Sequence, residues 1–564
     1  MAGNILTPLT LWGNFKTDVN PTCTIIDEKQ DGDVLTSRCY VDGKMARTER
    51  VKIFVTITKI VKTTKSPCIV MLNDFSNEQE QELTLDIVKK GYVVVSIDLA
   101  GKAEDKEYYT VYPEELEYAN YSVAKEELYT GTRDVNQACW YEWGCVVRYV
   151  LEYLKGRNDV ASIGGLGIAE ASTVLWQVAG MDKTFACVAF VLNSGWLGYR
   201  GIYKFGGQVE PQFSDDMYKF IAGVEPQAYA KHITCPTLML SATNSDSYDC
   251  DRAYDTVSRI EKDVYKAVHY SVGHINCVDE EAYDNLLLFY DVFLKSTGRR
   301  KKSLPEEMDI KAELIDGKIK VIVEPDLENI KDVTLFVSEE TVIPSQRCWF
   351  RVTDYEEKTE NGFVFNYVPY HGSTMATFFA KVEYKNGFVI CSNIIAKKFN
   401  TEEIYQGHKS NIVYSSRIDG GESVFLSANQ GLKRCKYINV SNIENVKVMK
   451  GPMDIEGVCC ESGLVTFKIN ASKDKPYEDA MFMFDAYLRE DGEITVKLIT
   501  DYYGAKNEYV AKIKVLGGEV WHNVKLEKSK FKTAEGMGLK NYDKVNAIEF
   551  NADGVWLINN ALWV

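Results

Sequence analysis

The chain has 564 residues, 45% of them apolar and 26% charged. That balance excludes large-scale disorder, and at roughly 150 residues per domain the length predicts about three to four domains. Lys plus Arg is 65 against 81 for Asp plus Glu, a formal charge of −16. So acidic a chain repels phosphate backbones, which argues against nucleic acid as a partner. The one dense basic run, Arg299-Arg300-Lys301-Lys302, reads as a solvated linker.

The N-terminus has no basic segment followed by an apolar core, so no signal peptide is expected. No stretch approaches the ~18 uninterrupted apolar residues that would span a membrane. The fourteen Cys lack metal-ligand spacing. In a chain without an export signal they are expected to be reduced, mostly buried thiols of a cytoplasmic protein. Neither His-Glu-x-x-His, a paired CxxC nor a phosphate-cradling loop is present, so no cofactor and no metal is expected.

In chain order, short β-rich runs (Val51 to Lys59, Cys68 to Leu72, Tyr92 to Ile97, Ser162 to Gly167, Cys187 to Leu192, Thr237 to Ala242, Val264 to Tyr270) alternate with amphipathic segments. The clearest of those is Trp140 to Lys155, with Val146, Val147, Val150, Leu151 and Leu154 at helical spacing. Glu281 to Leu294 forms the last. Strands alternating with helices predict an α/β domain with a doubly wound, mostly parallel sheet over residues 1–300. A charged, Pro-containing break follows. From Met308 to Phe399 the runs are short, alternating and aromatic-rich, with turn signals at Asp316-Gly317, Asn361-Gly362 and Asn386-Gly387. This pattern predicts an immunoglobulin-like β-sandwich over 308–399. A longer all-β stretch, 401–564, predicts a β jelly roll.

The segment Ser162-Ile-Gly-Gly-Leu-Gly167-Ile168-Ala169-Glu170-Ala171-Ser172 runs from a strand into a helix. That is the context of a nucleophile elbow, where G-x-S-x-G sets a serine at the apex of a sharp turn. Gly167 fits the first glycine, but Ala169 occupies the apex and Ala171 the last glycine. Downstream, Asp246 is the first candidate for the acid and Asp249 the second, in the loop after Pro236-Thr-Leu-Met-Leu-Ser-Ala. His274 in Val-Gly-His-Ile is the candidate base position, completing the order nucleophile, acid, His. Oxyanion donors would be the N–H of Glu170 and one from the turn Asn73-Asp74-Phe75, Asp74 foremost. Tyr108, Tyr109, Tyr112, Tyr118 and Tyr121 cluster where a substrate mouth would lie, and such rings also pack at domain edges.

These segments, with Gly91-Tyr-Val-Val-Val-Ser-Ile-Asp98, Asn193-Ser-Gly-Trp196 and Gly273-His274, resemble the acetyl xylan esterase and cephalosporin C deacetylase branch of the α/β hydrolases. The resemblance covers about half the chain and implies deacylation of acetylated sugars or similar small esters by a serine. Trp196 and Tyr112 would then be ligand-binding. The final segment, Trp521-His-Asn-Val-Lys-Leu and Val555-Trp556 to Trp563, resembles galactose-binding-like jelly rolls.

The family's serine falls on Ala169, so its chemistry does not carry over. Loss in the natural chain and a laboratory Ser→Ala change both fit; Ala171, and Ser245 where an Asp is expected, favour natural loss. Three readings follow: a non-catalytic homologue binding a carbohydrate or acylated ligand in the old cleft, an active ester hydrolase, and a scaffold. The oligomeric state is open.

Overall fold

A computed structural model describes residues 6–61, 65–73, 75, 81–103, 106–129, 134–207, 211–295, 303–407, 411–419, 424–428, 446–502 and 505–564. The basic run 299–302 and Asp74 lie outside the described residues.

The first nine strands are β1 (Cys23–Asp31), β2 (Val34–Ala46), β3 (Glu49–Ile60), β4 (Ser66–Leu72), β5 (Val93–Ile97), β6 (Val160–Ile168), β7 (Cys187–Val191), β8 (Thr237–Ala242) and β9 (Lys266–Ser271). They form one sheet in the order β1-β2-β3-β5-β4-β6-β7-β8-β9. β1, β2 and β3 are antiparallel and β3 meets β5 antiparallel, while every pair from β5 to β9 is parallel. Parallel strands covered on both faces need apolar residues at every position, and β5, β7 and β8 are buried throughout. Alternate side chains go to opposite cores. Val93 and Val95 join the side packed by helix Cys139–Lys155, and Val94 joins the side packed by helices Gln81–Lys89 and Glu280–Tyr290. Strand order reverses between β4 and β6, which is where open α/β sheets place a crevice at the carboxyl ends of their strands.

The antiparallel strands β1 and β2 were not among the predicted runs. On β2 the buried positions run Ser37, Cys39, Val41, Gly43 and Ala46, so Ser37 and Gly43 interrupt the apolar face, and β1 is largely exposed. Neither gives clean apolar alternation.

The strands of residues 309–398 make a four-stranded and a five-stranded antiparallel sheet. Their inner faces share one core through Val321, Leu335, Phe365 and Phe378. The hairpin Asp309–Ile315/Lys318–Glu324 turns on Asp316 and Gly317, both at positive φ (49° and 72°), the conformation that favours an Asp-Gly pair. Beyond residue 411, six-stranded and five-stranded antiparallel sheets enclose Phe482, Val496, Phe550 and Trp563. Side chains fasten these parts together. The Asn285 amide, at the end of the α/β portion, bonds both the N–H (2.9 Å) and C=O (2.8 Å) of Val389. Among the described residues no helix is long and apolar enough to cross a membrane.

Candidate functional site

At the carboxyl end of β6 the chain turns sharply into helix Glu170–Met181. The turning residue is Ala169, at φ 54° and ψ −130°, a region that residues with a Cβ rarely adopt. Its N–H donates to Val191 C=O (3.1 Å) and its C=O accepts from the Ser172 N–H (3.0 Å). Gly167 is required for the helix to come this close, since a Cβ there would stand 2.8 Å from Ser172 Cα. The turn therefore carries a methyl group at its apex, close against the first turn of the helix. Ala169 and Ala171 are fully buried. Ser172 offers no substitute nucleophile, because its buried hydroxyl donates to Val191 C=O (3.1 Å).

The Glu170 carboxylate is held by two phenols, accepting from Tyr129 (3.1 Å) and Tyr248 (2.8 Å). Burial, reinforced by the neighbouring Glu170 charge, pushes the Tyr129 hydroxyl up and keeps it a donor. The Tyr129 ring also carries the Arg200 guanidinium at 5.1 Å. Glu170 is therefore occupied by donors rather than poised to activate water.

In a serine triad the imidazole Nδ1–H points at a carboxylate. Here His274 Nδ1 faces the backbone C=O of Val272 (3.1 Å), and among the described residues no carboxylate hydrogen-bonds its ring. Asp246 is exposed and accepts from Ser247 (2.9 Å) and the Asn276 amide (2.7 Å). Asp249 pairs with Arg252 and accepts its N–H; burial, then the charge of Asp251, pushes its carboxyl up. The loops after β8 and β9 are joined through Asn276 instead. Ser245 donates to the Asn276 amide oxygen and accepts from the Tyr248 N–H (2.9 Å). Ser245, where the resemblance called for an acid, is thus a loop tie.

A cleft of about 250 Å³ opens at the carboxyl ends of β7 and β8. The loop after β7 contributes Trp196, Tyr199 and Tyr203, the loop after β8 contributes Asp246 and Tyr248, and residues 343–346 form a third wall. Trp196 is fixed on every side. Its indole N–H donates to Thr256 (2.8 Å), and its backbone N–H donates to the buried Glu225 carboxylate (3.1 Å). Arg259 and Arg252 stand 5.2 and 5.8 Å from its ring. Burial pushes the Glu225 carboxyl up, opposed by backbone N–H groups from Gly198 and Trp196 and by the Gln227 amide. The third wall is anchored by Arg347, whose fully buried guanidinium meets Asp251 (2.7 Å) and whose C=O accepts from the Asn244 amide (2.8 Å). Gln346 also accepts from Asn470 (3.0 Å), so all three portions of the chain meet here.

Of the residues singled out in the sequence, Trp196, Ser245, Asp246 and Asp249 line this cleft, whereas Ala169, Glu170 and His274 do not. Tyr112 lies elsewhere: it is buried and donates to Leu99 C=O (2.8 Å), so it packs the core rather than facing ligand. Tyr199, Tyr203, Tyr248 and Gln346 went unnoticed. Only Gly195-Trp196, immediately before Tyr199, pointed at this loop.

A group able to hold a metal by its donor set is His269, Asp279 and Glu281. His269 Nε2 already bonds Asp279 (3.3 Å), its Nδ1 faces the Asn285 amide (3.2 Å), and Lys381 is paired with Glu281. A cation is thus already supplied by the chain.

No family model and no curated protein matches this sequence. Among solved structures, it is similar to an acetyl xylan esterase from Paenibacillus sp. R4 (11% identity, TM-score 0.37, 51% of this chain and 92% of that one). Acetyl xylan esterase 1 from Thermoanaerobacterium sp. JW/SL YS485 is similar at 12% identity and TM-score 0.36, over 48% of this chain and 87% of that one. A third, described as a putative dienelactone hydrolase from Klebsiella pneumoniae subsp. pneumoniae MGH 78578, has 10% identity and TM-score 0.32, over 47% and 99%. Independently of these likenesses, β1–β9 form one mixed, mostly parallel sheet with helices on both faces and a sharp turn from β6 into a helix.

Proposed function

We propose that this chain is an esterase-fold homologue without serine-nucleophile catalysis that binds a carbohydrate or acylated small molecule. In this reading residues 1–300 are an α/β-hydrolase domain, 308–399 an immunoglobulin-like sandwich, and 401–564 a galactose-binding-like jelly roll. The observation that carries it is a contrast between two neighbouring places. The elbow has a buried methyl at its apex, a carboxylate tied down by two phenols, and a His274 ring bonded to backbone. The adjoining cleft keeps a rigid aromatic wall with polar groups converging on it from three directions.

Flat aromatic faces beside carboxylate, hydroxyl and amide groups suit sugar rings, whose C–H faces stack and whose hydroxyls hydrogen-bond. Asp246, Ser345 and Gln346 supply such partners on the walls. Ligand contact replaces chemistry in this account, and Ala169, Asp246 and His274 are positions of a former triad. The test is calorimetric titration of the chain with neutral and acetylated oligosaccharides, alongside Trp196→Ala. Binding that falls at least tenfold in the variant is the expected result. Binding unaffected by Trp196→Ala, or no binding to any of them, contradicts it.

A further inference from the structure

Outside the cleft, two cysteines lie diagonally across neighbouring strands at the edge of the large sheet. In the β1–β2 register Cys23 lies opposite Val41 and Ile25 opposite Cys39. Cys23 and Cys39 therefore project from the same face as diagonal cross-strand neighbours, near enough for each thiol to shift the other's acidity, while the Cys39 thiol donates to Val55 C=O (3.7 Å). Cys39 is buried, whereas Cys23 is partly open to solvent. The Tyr153 phenol lies near Cys23, and Arg157, which donates to that phenol (2.6 Å), sets a positive charge beside it.

These surroundings separate the two sulfurs. The neighbouring Cys39 thiol, followed by Tyr153 and Arg157, outweighs burial and brings the Cys23 thiol down to about 7. Cys39 moves the other way, raised by the same proximity and by burial. Elsewhere burial pushes the partly open Cys235 and Cys348 up to about 12 and about 11. An accessible thiolate beside a protonated second thiol is the arrangement that oxidants select.

We propose that Cys23 and Cys39 form an oxidisable dithiol, Cys23 being the thiol that hydroperoxides attack and Cys39 the one that resolves it. The Cys23 sulfur displaces the leaving oxygen of the peroxide, ROOH, giving a sulfenic acid and releasing ROH. The Cys39 sulfur then displaces that hydroxyl, which leaves as water with the Cys39 proton. Overall two thiols and one hydroperoxide give one disulfide, one alcohol and one water, the two electrons passing from sulfur to the O–O bond. The new bond would staple the edge strand β1 to β2.

The full-length chain is treated with hydrogen peroxide at pH 7 and mapped by mass spectrometry without reduction. The expected product is a Cys23–Cys39 cross-linked peptide, with Cys23 in the untreated chain alkylating about tenfold or more faster than Cys348. In Cys39→Ser, Cys23 should instead accumulate a dimedone-trapped sulfenic acid. If Cys39→Ser fails to fold, the cross-link and alkylation rates of the unmodified chain decide alone. Cys23 alkylating no faster than Cys348, or oxidising without a link to Cys39, overturns the proposal.

Discussion

Ala169 holds a backbone conformation that costs on the order of 1–3 kcal/mol, kept in place by its bonds to Val191 and Ser172. A strained turn needs its surroundings to impose it, and the bare space left by Gly167 lets the helix do so. Strain of this kind clusters at functional sites, and here the strained residue presents a methyl group. Asp279, by contrast, was not anticipated from the sequence and is doubly engaged. It caps helix Glu280–Tyr290 by accepting from the Ala282 N–H (2.8 Å) and bonds His269. Burial raises its carboxyl, but His269 and then His274 pull it further the other way, so it ends well below the usual carboxylate range. Glu281 and Lys381 complete the charges around it. A depressed folded-state value stabilises the fold above the unfolded value of about 3.9 and stops doing so as pH falls. Asp279→Asn keeps a capping oxygen and loses the charge. Urea midpoints measured against pH should fall less steeply below about pH 4 in this variant than in the parent. Parallel curves would contradict this role for Asp279.

At the scale of elements, the cleft depends on a wall delivered from a distance, residues 343–346, and on the Arg347–Asp251 pair that secures it. Both partners are fully buried. Removing one partner of such a pair leaves an unmatched buried charge and costs about 3–5 kcal/mol. Arg347→Met and Asp251→Leu should each lower the first urea transition by that order, and the double variant should lose less than the sum of the two. Strict additivity would mean that the pair does not couple the sheets.

The same elements mark what the sequence could and could not disclose. Helix Cys139–Lys155 was legible because one face carries Val146, Val147, Val150, Leu151 and Leu154, and the parallel strands because burial on both faces demands unbroken apolar runs. The elbow was legible because Gly167 and the strand-to-helix change fix its geometry locally. β1 and β2 were not, since Ser37 and Gly43 fill core-facing places and β1 lies at an edge. Chain order set Asp246 before His274, but order does not determine which side chains meet; Asn276, two residues beyond His274, took the loop tie. Tyr112 looked like a ligand contact from its neighbours in sequence, whereas burial of its ring makes it core.

For the molecule as a whole, the cleft is a junction rather than a property of one sheet. Asn285 on Val389, Arg347 on Asp251 and Asn470 on Gln346 bind the α/β portion to the antiparallel sheets and those to each other. The carboxyl-terminal half of the chain thereby acquires a part in shaping the cleft. Ala169 and His274 lie off that surface, and among the described residues no carboxylate hydrogen-bonds the His274 ring. The most direct measurement is hydrolysis of an aryl acetate by the chain and by Ala169→Ser, side by side. Restoring the hydroxyl alone should leave turnover at background, because neither Asp246 nor Asp249 supports the imidazole. A clear rate gained by Ala169→Ser, or any turnover by the unaltered chain, would contradict the account.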